Sequence, residues 1–495
     1  MRRLLTLVGA LVVGLGGCAV GPDYKVPVFE QGGSWQGETA VDTSATPVDA
    51  AGWWGQFNDP LLSGLIEKGA LNNRYLAVAL ANIERARGLR REAGAGYFPS
   101  IDAAGSASRS RYSRQTGFGA NTGTRNTFTG SLDVSWELDL FGRTRRSVEA
   151  AEAQIGASQA AHQGLMLSVS AEIAASYFEL RGLQEQLEMN RRDIDLLKEV
   201  ETVAGAQAEL GVTSGLDLAR AQGERESIAA KTPSLEAQIM ARIYRISVLT
   251  GEAPEFYVAK LKLSQPLPMA LDRVPVGLRS QILKRRPDVR QAERELAAAT
   301  AAIGIARADL FPDFSLTGAI GSSARLFSDL FMPGTLTSSL GAALGWPLFA
   351  GGAITARIDV AEADAKAALA RYEQSVLLAL EDAESALMAY AREWQTLKLL
   401  QAAERSRLQA FEIAQLRYEA GEEGFMTMLD AERMLITTRN DIVSSEMQIL
   451  TGLTRLYKAL GGGWQLVEQV NGEQQPPTKM VPRLNKEQVS ESDAD

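Results

Sequence analysis

Two proline-free stretches constrain this chain more than any other feature. It carries 17 prolines, yet none falls between Pro99 and Pro233 or between Pro347 and Pro476. Proline removes a backbone donor and clashes with the preceding helical turn, so its absence over such lengths leaves room for very long helices. Within the second stretch Val376, Leu380, Ala383, Leu387, Tyr390, Trp394 and Leu397 step alternately by four and three, a heptad seam of the coiled-coil kind. A helix from Gly142 to Gly211 would run roughly 105 Å at about 1.5 Å per residue, wider than any globular core. Gly211 to Gly215 and Gly421 to Gly424 interrupt the pattern. Each long helix is therefore expected to turn there and return, through Leu216–Thr250 and Phe425–Leu460, with a kink or break at Pro233.

The chain is written twice. Tyr97-Phe98-Pro99-Ser100 returns as Leu310-Phe311-Pro312-Asp313, Trp136–Phe141 as Trp346–Phe349, and Leu210-Gly211-Val212 as Ala420-Gly421-Glu422, each about 210 residues later. Two long copies indicate a duplicated domain and not a solenoid of short repeats. Before each long helix the hydrophobic period changes to two. Leu132, Val134, Trp136, Leu138 and Leu140 alternate with polar residues, as do Leu336, Leu340, Leu344, Trp346 and Leu348 with small or polar ones. Weaker strands precede them at Ser100–Ser110 and Asp313–Ser322, joined by loops rich in Gly, Ser, Thr and Asn.

If these strands cross lipid they must close into a barrel, because open edges leave backbone groups unpaired in hydrocarbon. Single-chain bacterial barrels start at about eight strands, so four per chain implies that several chains share one barrel. The helices, too polar outside for lipid, would continue the same wall into water.

The N-terminus reads Met1-Arg2-Arg3, then an apolar run from Leu4 to Leu15, then Gly16-Gly17-Cys18. This is the pattern of a secretory signal peptide. Cys18 is the only cysteine, so no internal disulfide exists, and its surroundings resemble a bacterial lipobox, which implies acylation of Cys18 and a lipid anchor. Ala19 in place of an aspartate implies, on the same resemblance, the outer membrane. A net charge of −9 disfavours nucleic acid, whose phosphates call for clustered Lys and Arg. The single histidine, His162, is expected at a surface or interface; with no second histidine or cysteine beside it, zinc and triad chemistries lack their parts. No cofactor and no catalytic residue are expected, and there is no Walker motif.

Several motifs together carry a family resemblance: Gly52-Trp53-Trp54 with Asp59-Pro60-Leu61, Asn72-Asn73-Arg74, Trp136-Glu137-Leu138-Asp139-Leu140-Phe141-Gly142-Arg143, Arg285-Arg286-Pro287-Asp288, Ala306–Pro312, Leu429-Asp430-Ala431 and Tyr457–Trp464. From Cys18 to about Trp464 the chain resembles the OprM-like lipoprotein branch of the TolC family of outer-membrane efflux proteins. The resemblance implies an α+β membrane protein: a homotrimer with a shared 12-stranded β-barrel, four strands per chain, continuing into an α-helical coiled-coil periplasmic tunnel. It implies as partners a periplasmic adaptor protein and an inner-membrane transporter of the resistance-nodulation-division class, with drugs or other small molecules as cargo. The expected segments are a signal peptide at 1–17, a lipid-anchored stretch at 18–59, equatorial helices at 60–96 and 276–309, barrel hairpins at 97–140 and 310–350, helical hairpins at 141–252 and 351–464, a linker at 253–275, and a disordered tail at 465–495.

Met426 and Asp430 lie four residues apart, on one face of a helix. By resemblance they form the periplasmic gate, Asp430 as a carboxylate ring favouring cations and Met426 as an apolar ring, where the family usually has leucine. Glu419, Glu422 and Glu423 form an acidic tip beside them, and Gly211 and Asp217 mark the tip of the first hairpin. Met426, Met428 and Met434 also allow a soft-metal reading, against plain apolar packing. Other readings stay open at this point: a protein-secretion or heavy-metal duct of the same fold, or a lipid-anchored scaffold whose alternating strands pack in water. A cell-wall hydrolase is a distant third.

Overall fold

The computed structural model describes residues 19–27, 50–112, 123–211, 214–270 and 285–463. Cys18, the signal segment and the tail from residue 464 lie outside the described residues. A 3-10 segment, Ala50–Phe57, precedes helices α1 (Pro60–Asn72) and α2 (Arg74–Ala95), and strands β1 (Ser100–Tyr112) and β2 (Gly123–Leu138) follow. Next come α3 (Arg143–Glu209), α4 (Gly215–Ala229), α5 (Thr232–Leu249), the single turn α6 (Val258–Leu261) and α7 (Pro287–Ala308). Strands β3 (Asp313–Ala324) and β4 (Leu336–Gly345), then α8 (Ala353–Glu419) and α9 (Phe425–Ala459), complete the order. Helices α3 and α8 each run unbroken for 67 residues. The chain divides into two compact units, one formed by residues 1–33, 77–164 and 283–381, the other by 34–76, 165–282 and 382–495.

The first unit holds the sheet, in the order β1-β2-β3-β4 with all neighbours antiparallel. Where β2 gives way to α3, the Asp139 carboxylate accepts from the amides of Thr144 at 3.1 Å and Arg145 at 2.9 Å and so caps the helix. Phe141 stacks on Phe311 at 4.6 Å between ring centres, and Arg143 pairs with Asp309. These contacts give the Leu-Phe-Gly-Arg and Asp-Leu-Phe-Pro motifs a structural role at the foot of the sheet. The segment Ala19–Pro27 is pinned at the same place. The amide of Val20 donates to Phe141 O at 3.1 Å, Arg146 donates to Val20 O and to Asp23, and Gly21 lies so close to Gly304 that a Cβ there would sit 2.5 Å from Gly304 Cα.

Helix α7 packs on α8 through Val289, Leu296, Ala368, Tyr372, Val376 and Ala379. The seam expected at Leu380 is thus carried by Ala379, fully buried, while Leu380 is half-buried. The Arg286 guanidinium donates to the Ala379 carbonyl at 3.4 Å.

The second unit is built on a core of Trp53, Leu62, Ile66, Tyr177, Phe178, Ile243, Leu453 and Tyr457, with Trp53 stacked on Tyr457 at 5.2 Å. Asp59 caps α1 through the amides of Leu61 and Leu62 and also accepts from the Tyr177 hydroxyl at 2.5 Å. Loss of such a cap costs about 1 kcal/mol. Asn73 ends α1 and starts α2, its carbonyl oxygen taking the amides of Tyr75 and Leu76 and its amide nitrogen reaching Leu249 O. The return of the first hairpin breaks at Ala230-Lys231 and resumes as α5 with Pro233 in its first turn, where no backbone donor is lost.

Toward the hairpin ends a second cluster joins Leu197 of α3, Ala221 and Ile228 of α4, Ala414 of α8, and Phe425, Met428, Leu429 and Ile436 of α9. Glu432 sits on the same stripe of α9, 1% exposed, and neither of its carboxylate oxygens has a partner among the described residues. Burial, together with the negative charges of Asp193 on α3 and Glu224 on α4, pushes its carboxyl up to about 7; only Arg433 acts the other way.

A folded value above that of the unfolded chain means that the neutral acid favours the folded state. This contribution is complete below about 4.5 and is lost as pH rises through about 7. Protection factors in the first half of α9, corrected for the intrinsic rise of amide exchange with pH, are therefore expected to fall between pH 5.5 and 8, and Glu432→Gln is expected to hold them level and leave this stretch better protected at pH 8. Parallel pH profiles for the two proteins would refute the assignment.

Candidate functional site: the helical tips and the amphipathic sheet

Both helical hairpins reverse at a glycine with positive φ, 71° at Gly211 and 73° at Gly421, a conformation that side chains with a Cβ disfavour. At the second tip the Glu422 amide returns to Arg417 O at 2.8 Å, closing α8, and α9 begins at Phe425. At the first, Ser214 caps α4 through the Leu216 amide at 3.3 Å.

Met426 and Asp430 lie in the first two turns of α9, Met426 half-buried and Asp430 exposed. Their neighbours Met428 and Leu429 take the opposite side, into the tip core. The Asp430 carboxylate is 3.6 Å from Arg433 Nη1. An exposed pair of this spacing contributes no more than about 0.5 kcal/mol, so it does not tie Asp430 down. Glu422 and Glu423 flank Arg417 at 3.6 and 3.2 Å, Glu419 accepts from Gln415, and Asp217 is 3.5 Å from Arg220. The three methionines do not converge. Met428 is buried, Met434 is 58% exposed, and Met428 lies about 200° around the helix from Met426. His162 is half-buried on α3, and the described residues contain no group of three or more His, Cys, Asp or Glu suited to a metal.

Two cross-links between the hairpins escaped sequence reasoning. The Tyr418 hydroxyl donates to Gln207 Oε1 at 2.7 Å, and Arg433 pairs with Glu224. The partners are 211 and 209 residues apart, close to the spacing of the internal repeat, and that coincidence was the available signal. Glu432 was missed as well, although it falls three residues after Leu429 and four before Ile436, a core position in the helical period.

The sheet separates chemistry by face. Residues directly opposite across strands point the same way. One face thus collects Ile101, Ala103, Phe128, Leu132, Val134, Trp136, Leu138, Phe314, Leu316, Ile320, Leu336, Leu340 and Leu344, and the other Asp102, Ser106, Thr129, Ser131, Asp133, Glu137, Ser315, Thr317 and Ser339. The apolar face is uncovered: Ile101 is 68% exposed, Leu340 91% and Leu344 60%. Along β2 it runs from Phe128 to Leu138, about 33 Å of strand. At the tilt usual in membrane barrels, about 40°, that is about 25 Å of height, the thickness of their apolar band. No helix among the described residues is long and apolar enough to cross a membrane.

Comparison with known proteins agrees with this geometry. Residues 65–267 and 278–462 match the family described as outer membrane efflux protein. The toluene efflux pump outer membrane protein TtgC of Pseudomonas putida is 32% identical over 474 residues, covering 94% of this chain and 96% of its own. The pyoverdine export outer membrane protein OpmQ of the same species is 33% identical over 450 residues, 87% of this chain and 92% of its own. The solved outer-membrane channel OprN superposes with a TM-score of 0.85 at 35% identity, over 90% of this chain and all of that one. A 67-residue helical pair with glycine tips and a sheet with a bare apolar face are thus features of a channel and not of an enzyme, and this chain belongs to the outer membrane efflux protein family.

Proposed function

We propose that three copies of the chain close their four-stranded sheets into one 12-stranded barrel, continued by the helices as a periplasmic tunnel with an iris-like gate at the tips. The observation that carries this reading is the uncovered apolar face of the sheet, bounded by two edge strands, β1 and β4, without partners among the described residues. In hydrocarbon those edges must be paired, and four strands cannot pair their own. The face also argues against a water-soluble scaffold, where it would be covered. Exposed apolar residues along the helices, among them Val78 and Leu80 on α2 and Val360 and Leu377 on α8, support contact with neighbouring copies. The succession helix, hairpin, long helix and return helix occurs twice in the element order, which supports a duplicated origin with the segment boundaries read from the sequence.

In this assembly the duct works with a periplasmic adaptor and an inner-membrane transporter of the resistance-nodulation-division class, and carries small molecules, as the names of TtgC and OpmQ state for those proteins. Burial of Met428 supports apolar packing at the tip over a soft-metal duct. Met426 and Asp430 line the constriction, three carboxylates around the axis favouring cations and three thioethers giving a pliable apolar ring. Opening requires the second hairpin to move away from the first, which breaks Tyr418–Gln207 and Arg433–Glu224. Ala19 and Val20, packed at the foot of the sheet, support a lipid anchor on Cys18 at the periplasmic side of the membrane.

Planar-bilayer conductance measured with the oligomer mass of the same detergent-purified sample tests the assembly. A trimer with small, cation-selective channels is expected; a well-folded monomer without channels would refute it. Asp430→Ala is expected to raise conductance several-fold and weaken cation preference, whereas unchanged currents would remove Asp430 from the gate. Cys18→Ser is expected to abolish metabolic labelling by radioactive palmitate, and persistent label would exclude this anchor site.

A further inference from the structure

The apolar band on the outward face of the sheet ends at Phe128, level with Ala107 and Ala324. The next outward positions on β1 are Arg109 and Arg111, opposite Asn126 and Thr124. Every acidic residue of the four strands, Asp102, Asp133, Glu137 and Asp313, lies on the other face. The outward face therefore carries two charges, both positive and both at the loop end. Both arginines are exposed, and neither guanidinium has an ion pair or hydrogen bond among the described residues. By strand geometry they stand about 7 and 13 Å beyond Phe128, with about 7 Å between them. Arginine is penalised at the midplane of a bilayer and tolerated at its interface, so this placement is at headgroup depth.

We propose that Arg109 and Arg111 form a binding surface for a phosphorylated glycolipid of the outer leaflet, the guanidinium forks taking its phosphates while its acyl chains lie on the apolar band below. The surface rests on the barrel reading given above. The leaflet follows from the chain path: α3 leaves the foot of the sheet at Arg143, beside Ala19 and Val20, and Arg109 and Arg111 lie at the opposite end of the strands. The ligand class follows from the donors. A guanidinium presents paired N–H groups that match phosphate oxygens, and two of them on one strand face suit a headgroup with more than one phosphate. Asn126 and Thr124 supply polar neighbours for its sugars.

Native mass spectrometry of the full-length protein, titrated in detergent with lipid A, dephosphorylated lipid A or phosphatidylglycerol, tests the surface. The wild type is expected to retain lipid A about ten-fold better than the dephosphorylated form. The double variant Arg109→Gln/Arg111→Gln is expected to lose this preference at unchanged conductance, and Arg109→Lys/Arg111→Lys to keep part of it. Equal retention of lipid A by the wild type and the glutamine variant would overturn the proposal, and equal retention of phosphatidylglycerol and lipid A would overturn the glycolipid assignment. Absence of conductance in the wild type would instead defeat the barrel on which the surface rests.

Discussion

A four-stranded antiparallel sheet with one bare apolar face and two open edges is the constraint on which the rest of this protein depends. In water such a face would be covered by helices or by a second sheet. In lipid the face needs no cover, but the edge amides and carbonyls do need partners, since hydrocarbon supplies none. The requirement falls on the number of strands, and the four described here leave β1 and β4 as edges without partners among the described residues. In the assembly we propose, neighbouring copies supply the remainder, and the long helices follow the same symmetry because they start directly at the foot of the sheet.

The helices face the opposite problem. A helix of 67 residues ends only where a glycine turns the chain, and its stability comes from packing along its length. The seam between α7 and α8 does this with alternating large and small residues, and the tip cluster does it again where both hairpins turn. Glu432 occupies a core position without a hydrogen-bond partner among the described residues, close to two other carboxylates, and Asp430, two residues before it on the opposite side of the helix, faces solvent. A buried unpaired carboxylate costs folding free energy. Glu432 lies beside two polar cross-links at the junction of the hairpins, the place where the proposed gate would open.

The architectural elements were legible in the sequence because they arise from periodic patterns. The absence of proline marked α3 and α8, the period-two alternation marked β2 and β4, and the glycines at 211 and 421 marked the turns. Each is a local backbone property, readable without knowledge of the neighbours. The motifs shared with the family were legible as a resemblance, but their roles were not. Asp59, Asn73 and Asp139 cap helices, and Trp53 stacks on Tyr457, roles that depend on what lies across the core.

The sequence by itself determined the family, the long helices, the amphipathic strands and the positions of the tips, because each is written in spacing along the chain. Only the tertiary structure decided which partner each side chain meets. It put Ala379 in the seam where Leu380 was expected, and Met428 in the tip core with Met426 half-buried outside it. It also brought Tyr418 to Gln207, Arg433 to Glu224, and Glu432 between Asp193 and Glu224. These contacts join residues far apart in the chain, and their chemistry is set by burial and by neighbouring charge, which a one-dimensional pattern does not carry.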